Sequence, residues 1–111
     1  LKPYQMQDPL EDSCLLGPLA RKDLQETVHQ QVTKSVELGA KLILGGNCPS
    51  RVGFYYPATV LTNVKKGMPA FDEEVFGPVL SIITAKTEKE AITLANDSSY
   101  GLAAAVFTKD S

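Results

Sequence analysis

From Leu19 to Leu38 the apolar residues Leu24, Val28, Val32 and Val36 recur every fourth position, with Leu19 and Leu38 extending the stripe. That spacing keeps one helix face apolar, so an α-helix is expected here, stopped by Gly39. His29 sits beside Val28 but off the stripe and reads as a solvated histidine. Lys41 to Leu44 is a short apolar run that Gly45-Gly46 turns, the pattern of a strand, and 47–53 is a loop rich in Gly, Pro and Ser. Phe54 to Leu61, aromatic and β-branched, predicts a second strand, with Pro57 marking an edge or a bulge. Thr62 to Ala70 is a polar connection. Val79 to Ala85, broken only by Ser81 and Thr84, has the most buried character of the strands and suits a sheet covered on both faces. Thr87-Glu88-Lys89-Glu90 is a capping-box pattern opening a helix to about Ala95, with Ala91, Ile92 and Ala95 inward. Asn96 to Ser99 ends that helix, and Gly101 to Thr108 predicts a last strand before Lys109-Asp110. Leu1 to Pro18 carries no periodicity and reads as an irregular approach segment, from which Met6, Leu10, Leu15 and Leu16 are placed to dock on a core. Strands alternating with two helices define an α/β class with a mostly parallel or mixed sheet flanked by helices, its core in 19–111.

Composition narrows the function classes. The chain has 111 residues, 43% hydrophobic and 22% charged, with a formal net charge of −2. That is one ordinary globular domain with a core of its own. No basic stripe offers itself to a phosphate backbone, which argues against nucleic acid. No apolar run approaches the roughly 18 residues of a membrane helix, and no signal-peptide pattern opens the chain. The two cysteines, Cys14 and Cys48, lack metal-ligand spacing and read as reduced thiols of a cytoplasmic protein. Leu1 in place of an initiator Met, and a stop just after an expected strand, lead to the expectation that these residues are a piece of a longer polypeptide.

The chemistry-bearing stretch is Glu73-Glu74-Val75-Phe76-Gly77-Pro78-Val79. In extended backbone, side chains alternate, so Glu74 and Phe76 share one side while Glu73 and Val75 share the other. A carboxylate beside a ring can hold a ligand that is part sugar and part aromatic; two acids leading into a strand can equally be a solvated pair. Elsewhere the candidates are weaker. Cys14 follows Glu11-Asp12-Ser13, whose charges would raise a thiol pKa, and Cys48 has only Arg51 near it in sequence. One histidine and scattered acids give no metal-ligand pair. The glycine pair at 45–46 lacks the further glycines or lysine of a phosphate loop.

The same stretch resembles the E-E-x-F-G-P-V motif of the aldehyde dehydrogenase superfamily. Ala95-Asn96-Asp97-Ser98-Ser99-Tyr100-Gly101-Leu102-Ala103-Ala104-Ala105-Val106-Phe107-Thr108 is similar to that family's A-N-x-x-x-Y-G-L-A-A-x-V-F-T segment at the expected separation. Gly17-Pro18-Leu19 before the long helix, Gly39-Ala40-Lys41-Leu42 and Gly45-Gly46 also fit. Within the family, Gly17 to Arg21, Leu24 and Val28-His29-Gln30-Gln31-Val32 are most similar to bacterial succinate-semialdehyde dehydrogenases. The resemblance implies oxidation of a small aldehyde to its carboxylate with NAD or NADP, in a cytoplasmic homo-oligomer, with neither nucleic acid nor membrane as partner. It implies that Glu74 accepts hydrogen bonds from the nicotinamide-ribose hydroxyls, that Phe76 packs on that ribose and ring, and that Leu102 lies near the nicotinamide. Neither Cys14 nor Cys48 follows the family's G-Q-x-C nucleophile pattern. The nucleophile, the general-base glutamate and the dinucleotide-binding domain are therefore expected outside this chain, which would be a catalytic-domain fragment without turnover of its own. A stand-alone binding or assembly module descended from such an enzyme is the other reading.

Overall fold

In the computed structural model, which describes residues 5–109, a helix α1 spans Lys22–Glu37 and covers one face of a small sheet. The helix starts later than the apolar stripe predicts, because the Leu19 N–H is taken by the Phe54 carbonyl (2.7 Å) and Arg21 is extended. Asp23 in the first turn suits the helix dipole and pairs with Arg21. The buried face is Val28, Gln31, Val32 and Ser35, not the expected every-fourth stripe. Each four-residue step overshoots a turn by about 40°, so the row drifts off the core: Leu24 is half-buried and Val36 is 38% exposed. Gly39, at φ +118°, closes the helix as expected.

The sheet has three strands in the order β1 (Lys41–Leu44), β2 (Thr59–Thr62), β3 (Val79–Ser81). β1 pairs antiparallel with β2 (Lys41↔Thr62, Leu42↔Leu61, Leu44↔Val60), the register slipping at Ile43. β2 pairs parallel with β3 (Thr59↔Val79 to Leu61↔Ser81), so the sheet is mixed. Between β2 and β3 a single turn of helix, α2 (Pro69–Asp72), falls inside the expected polar connection and just past it. Pro69 at its start suits a helix N-terminus. A last helix, α3 (Glu88–Asn96), opens on the predicted cap: the Thr87 hydroxyl accepts from Glu90 N–H (3.0 Å). Glu90 Oε2 reaches one residue further back than expected, to Lys86 N–H (2.8 Å).

Val28, Val32, Ala40, Tyr56, Leu61, Val64 and Met68 form the core, with Leu19, Ala70, Phe71, Val75 and Val79 packed against it. Several expectations are corrected. The strand expected over Phe54–Leu61 is confined to Thr59–Thr62, because Tyr55 and Tyr56 are buried in succession, which an alternating strand does not allow. Pro57 lies ahead of β2, which is the central strand rather than an edge. β3 is short and half-exposed, not the best-buried strand, since β2 pairs it on one side and ends at Thr62, before Asn63 turns at φ +56°. Ala91, Ile92 and Ala95 are all exposed rather than inward; Leu94 is the half-buried residue of α3, and Ala91 and Ala95 border with it, Ile83 and Ala85 an open hollow of about 190 Å³. The segment 101–108 lies outside the sheet rather than forming the expected last strand, and its Leu102, Val106 and Phe107 are exposed. In the approach segment Met6 and Leu16 form a bridge and are half-buried, but Leu10 and Leu15 are exposed. Residues 1–4, and Asp110 and Ser111 at the other end, lie outside the described residues.

Candidate cofactor-facing site

The turn of α2 delivers residues 73–77 along the side of α1. Ser35, fully buried, sets the entry: its hydroxyl donates to the Gln31 carbonyl (2.8 Å) and accepts from Ala70 N–H (2.9 Å) in the first turn of α2. One turn back on the same face, Gln31 Nε2 donates to Glu73 Oε1 (3.0 Å) and to the Glu74 carbonyl (3.2 Å). From Glu73 the chain is extended (φ −110°, ψ 156°), and the alternation follows. Glu73, though exposed, reaches Gln31 of α1 and Val75 packs on the core, whereas the exposed side chains of Glu74 and Phe76, the latter at 67%, meet neither. The Glu74 carboxylate makes no hydrogen bond or ion pair among the described residues. Two successive three-residue turns, Gly77 N–H to the Val75 carbonyl (3.0 Å) and Val79 N–H to the Gly77 carbonyl (2.8 Å), then lead the chain into β3.

Phe76 and Pro78 border an open apolar cleft of about 600 Å³, whose other wall includes Leu16, Pro18 and Leu24. Its size falls in the range of small-molecule sites. The sequence places Leu24 in the helix stripe and Leu16 among the residues docking the approach segment on a core, and no short motif links either to Phe76. Leu102 stands apart: at 104% exposure it touches neither Glu74 nor Phe76.

A second polar group sits at the other end of Tyr56. His29 Nδ1 lies 3.1 Å from the Tyr56 hydroxyl, the rings 5.8 Å apart and tilted, so His29 is half-buried rather than solvated. Gln25 Nε2 donates to the Tyr55 carbonyl (2.7 Å), and the Arg51 guanidinium lies over the Tyr55 ring at 4.0 Å. Burial pushes the Tyr56 phenol well above its ordinary range, with Cys48 adding to the shift. Partial burial first, and then Glu26, also raise the pKa of the Cys48 thiol, which lies at an exposed position. Cys14 and Cys48 are both free thiols. Among the described residues no cluster of three His, Cys, Asp or Glu side chains can hold a metal ion, and no helix is long and apolar enough to cross a membrane.

The mixed α/β fold and the ordered motifs have a counterpart. The chain belongs to the aldehyde dehydrogenase family, whose sequence profile it matches over residues 1–111. It is 50% identical over 106 residues to the succinate semialdehyde dehydrogenase [NAD(P)+] Sad of Escherichia coli strain K12, covering 96% of this chain and 23% of that protein. It is 41% identical over 111 residues to the chloroplastic betaine aldehyde dehydrogenase of Atriplex hortensis, covering 98% and 22%. Its fold superposes on the Mycobacterium tuberculosis aldehyde dehydrogenase complexed with NAD+ with a TM-score of 0.90 at 39% identity, covering 98% of this chain and 23% of that one. The chain thus spans under a quarter of the length of these relatives.

Proposed function

We propose that this chain supplies the nicotinamide-facing part of the catalytic domain of an NAD(P)-dependent aldehyde dehydrogenase that converts an aldehyde, succinate semialdehyde in the first instance, to its carboxylate. The observation that carries this reading is the outward pairing of Glu74 and Phe76 beside an apolar cleft, with Glu73 and Val75 turned the other way. The residues fit the group. An exposed carboxylate with free acceptor oxygens suits two ribose hydroxyls, and an exposed ring suits a sugar face and a planar heterocycle. Bound there, a nicotinamide cofactor would supply the hydride acceptor for aldehyde oxidation.

In this proposal the chain binds and orients; it does not form the bond to the aldehyde. Glu74 accepts the hydroxyl hydrogen bonds, Phe76 limits how the ribose and ring lie, and Leu102 closes in near the nicotinamide. The proposal also takes the enzyme as a cytoplasmic homo-oligomer. Succinate semialdehyde is preferred because the 50% identity to Sad exceeds the 41% to the betaine aldehyde enzyme.

The test is Glu74→Gln in the complete enzyme. The variant keeps the shape but accepts hydroxyl hydrogen bonds more weakly. It is expected to slow hydride transfer in single turnovers by about tenfold or more. Unchanged single-turnover and steady-state kinetics would sink the role of Glu74.

A further inference from the structure

Gln31 is an anomaly in the middle of α1. Its side chain faces the core, the residue is only 8% exposed, and its Oε1 is buried with no hydrogen-bond partner. An orphaned buried carbonyl is unfavourable, and an apolar side chain of the same length would remove it. Nor can the amide turn over to relieve it. Nε2 faces two acceptors, Glu73 Oε1 at 3.0 Å and the Glu74 carbonyl at 3.2 Å, and a flip would set Oε1 against both. The geometry keeps the two donated bonds at the expense of the carbonyl.

We infer that Gln31 is a positioning residue: a single amide clamps two successive residues of the cofactor-facing loop and thereby fixes where Glu74 points. This deepens the proposed role of Glu74 and rests on it. The clamp acts on the backbone of Glu74, through its carbonyl, and leaves the carboxylate free. It also separates two adjacent acids that repel each other. Glu73 is drawn to the helix by a charge-assisted bond, and alternation then turns Glu74 to the opposite side. The Ser35 bond to Ala70 N–H fixes the same loop from its other end, so the segment between has little freedom to rotate.

The test uses the complete enzyme, with Gln31→Met, Glu74→Gln and the double variant. Three readouts are taken: kcat and KM for NAD+ at saturating aldehyde, single-turnover hydride transfer, and amide hydrogen exchange over residues 73–77. Gln31→Met removes both donors and keeps the length. It is expected to lower kcat/KM for NAD+ by about tenfold and to speed exchange in 73–77 while the rest of α1 stays protected. If Gln31 acts through Glu74, the double variant is no slower than Glu74→Gln alone. Unchanged exchange in 73–77, or losses that multiply in the double variant, would overturn the clamp. A silent Glu74→Gln with faster exchange in Gln31→Met would instead retain the clamp and refute the cofactor role of Glu74. Should Gln31→Met fail to fold, Glu73→Ala, at an exposed position, opens one of the two bonds; it is expected to speed exchange in 73–77 to a smaller extent, and no change there would overturn the clamp.

Discussion

Gly77 lies flush against Val28: a Cβ built on it would fall 2.9 Å from Val28 Cγ2 and 3.1 Å from Cγ1. Val28 is buried on α1, so it has little room to yield. The glycine here serves close approach, since it is not among the positive-φ glycines. Gly77→Ala is expected to destabilise the fold by about 1–3 kcal/mol, an overpacking effect, and to push the Phe76 turn off the helix. Urea denaturation of the two proteins checks this, and an unshifted midpoint would refute it.

Tyr56 predicts an alkaline limit to stability. Its phenol is buried against the core and in hydrogen-bond contact with His29, and its pKa is raised above the ordinary 10.0. An acid with a raised folded pKa keeps its proton longer when folded. Above about pH 10, then, the unfolded chain has released a proton that the folded chain still holds, and stability falls as pH rises. The stabilisation is complete below the ordinary value and declines by about 1.4 kcal/mol per pH unit above it. The raised Cys48 thiol adds a smaller loss of the same sign from about its ordinary 9.0 upward. Denaturation midpoints measured from pH 8 to 11 should decline less steeply for Tyr56→Phe than for the unaltered chain. Parallel profiles would show that Tyr56 does not ionise on unfolding.

The isolated 111-residue chain is expected to self-associate. Leu44, Leu80 and Ile82 are exposed at the sheet, and Val106 and Phe107 on the following segment. Exposed apolar side chains on the short strands and on the segment at Val106 and Phe107 are ready partners for one another. Light scattering should give a mass that rises with concentration; a constant 12.0 kDa at high concentration would refute it.

How much of this was legible in the sequence varies by element. Val28 and Val32, the Gly39 stop and the Thr87 cap were legible because each is set by neighbours three or four residues away. The mixed sheet class was legible from the order of apolar runs, but not which pairs run antiparallel. The opposed faces of Glu73 and Glu74 followed from period-two alternation alone. Gln31 and Ser35 were missed, although they lie three and seven residues after Val28, on the face a helix buries. Their polarity hid them, and their partners, Glu73 and Ala70, are 42 and 35 residues away. His29 was misread for the same reason: its partner, Tyr56, is 27 residues away. The segment 101–108 read as a strand because its pattern is one, yet it lies outside the sheet, although β1 and β3 each carry a strand neighbour on one side alone; alternation of side chains does not specify pairing.

The attachment of α3 has a consequence for that segment. No residue of α3 is buried, and the Lys66 Nζ–Asp97 Oδ2 contact of 2.9 Å joins its end to the loop before α2. Both partners are exposed, so the pair is a weak tie that salt weakens further. Salt therefore weakens one of the ties at the end of α3, whereas the Ser35–Ala70 hydrogen bond and the Val28–Gly77 packing that help seat the Glu74 loop on α1 carry no charge. The Glu74 loop is thus seated by close packing, and the end of α3, which leads to Leu102, in part by charge.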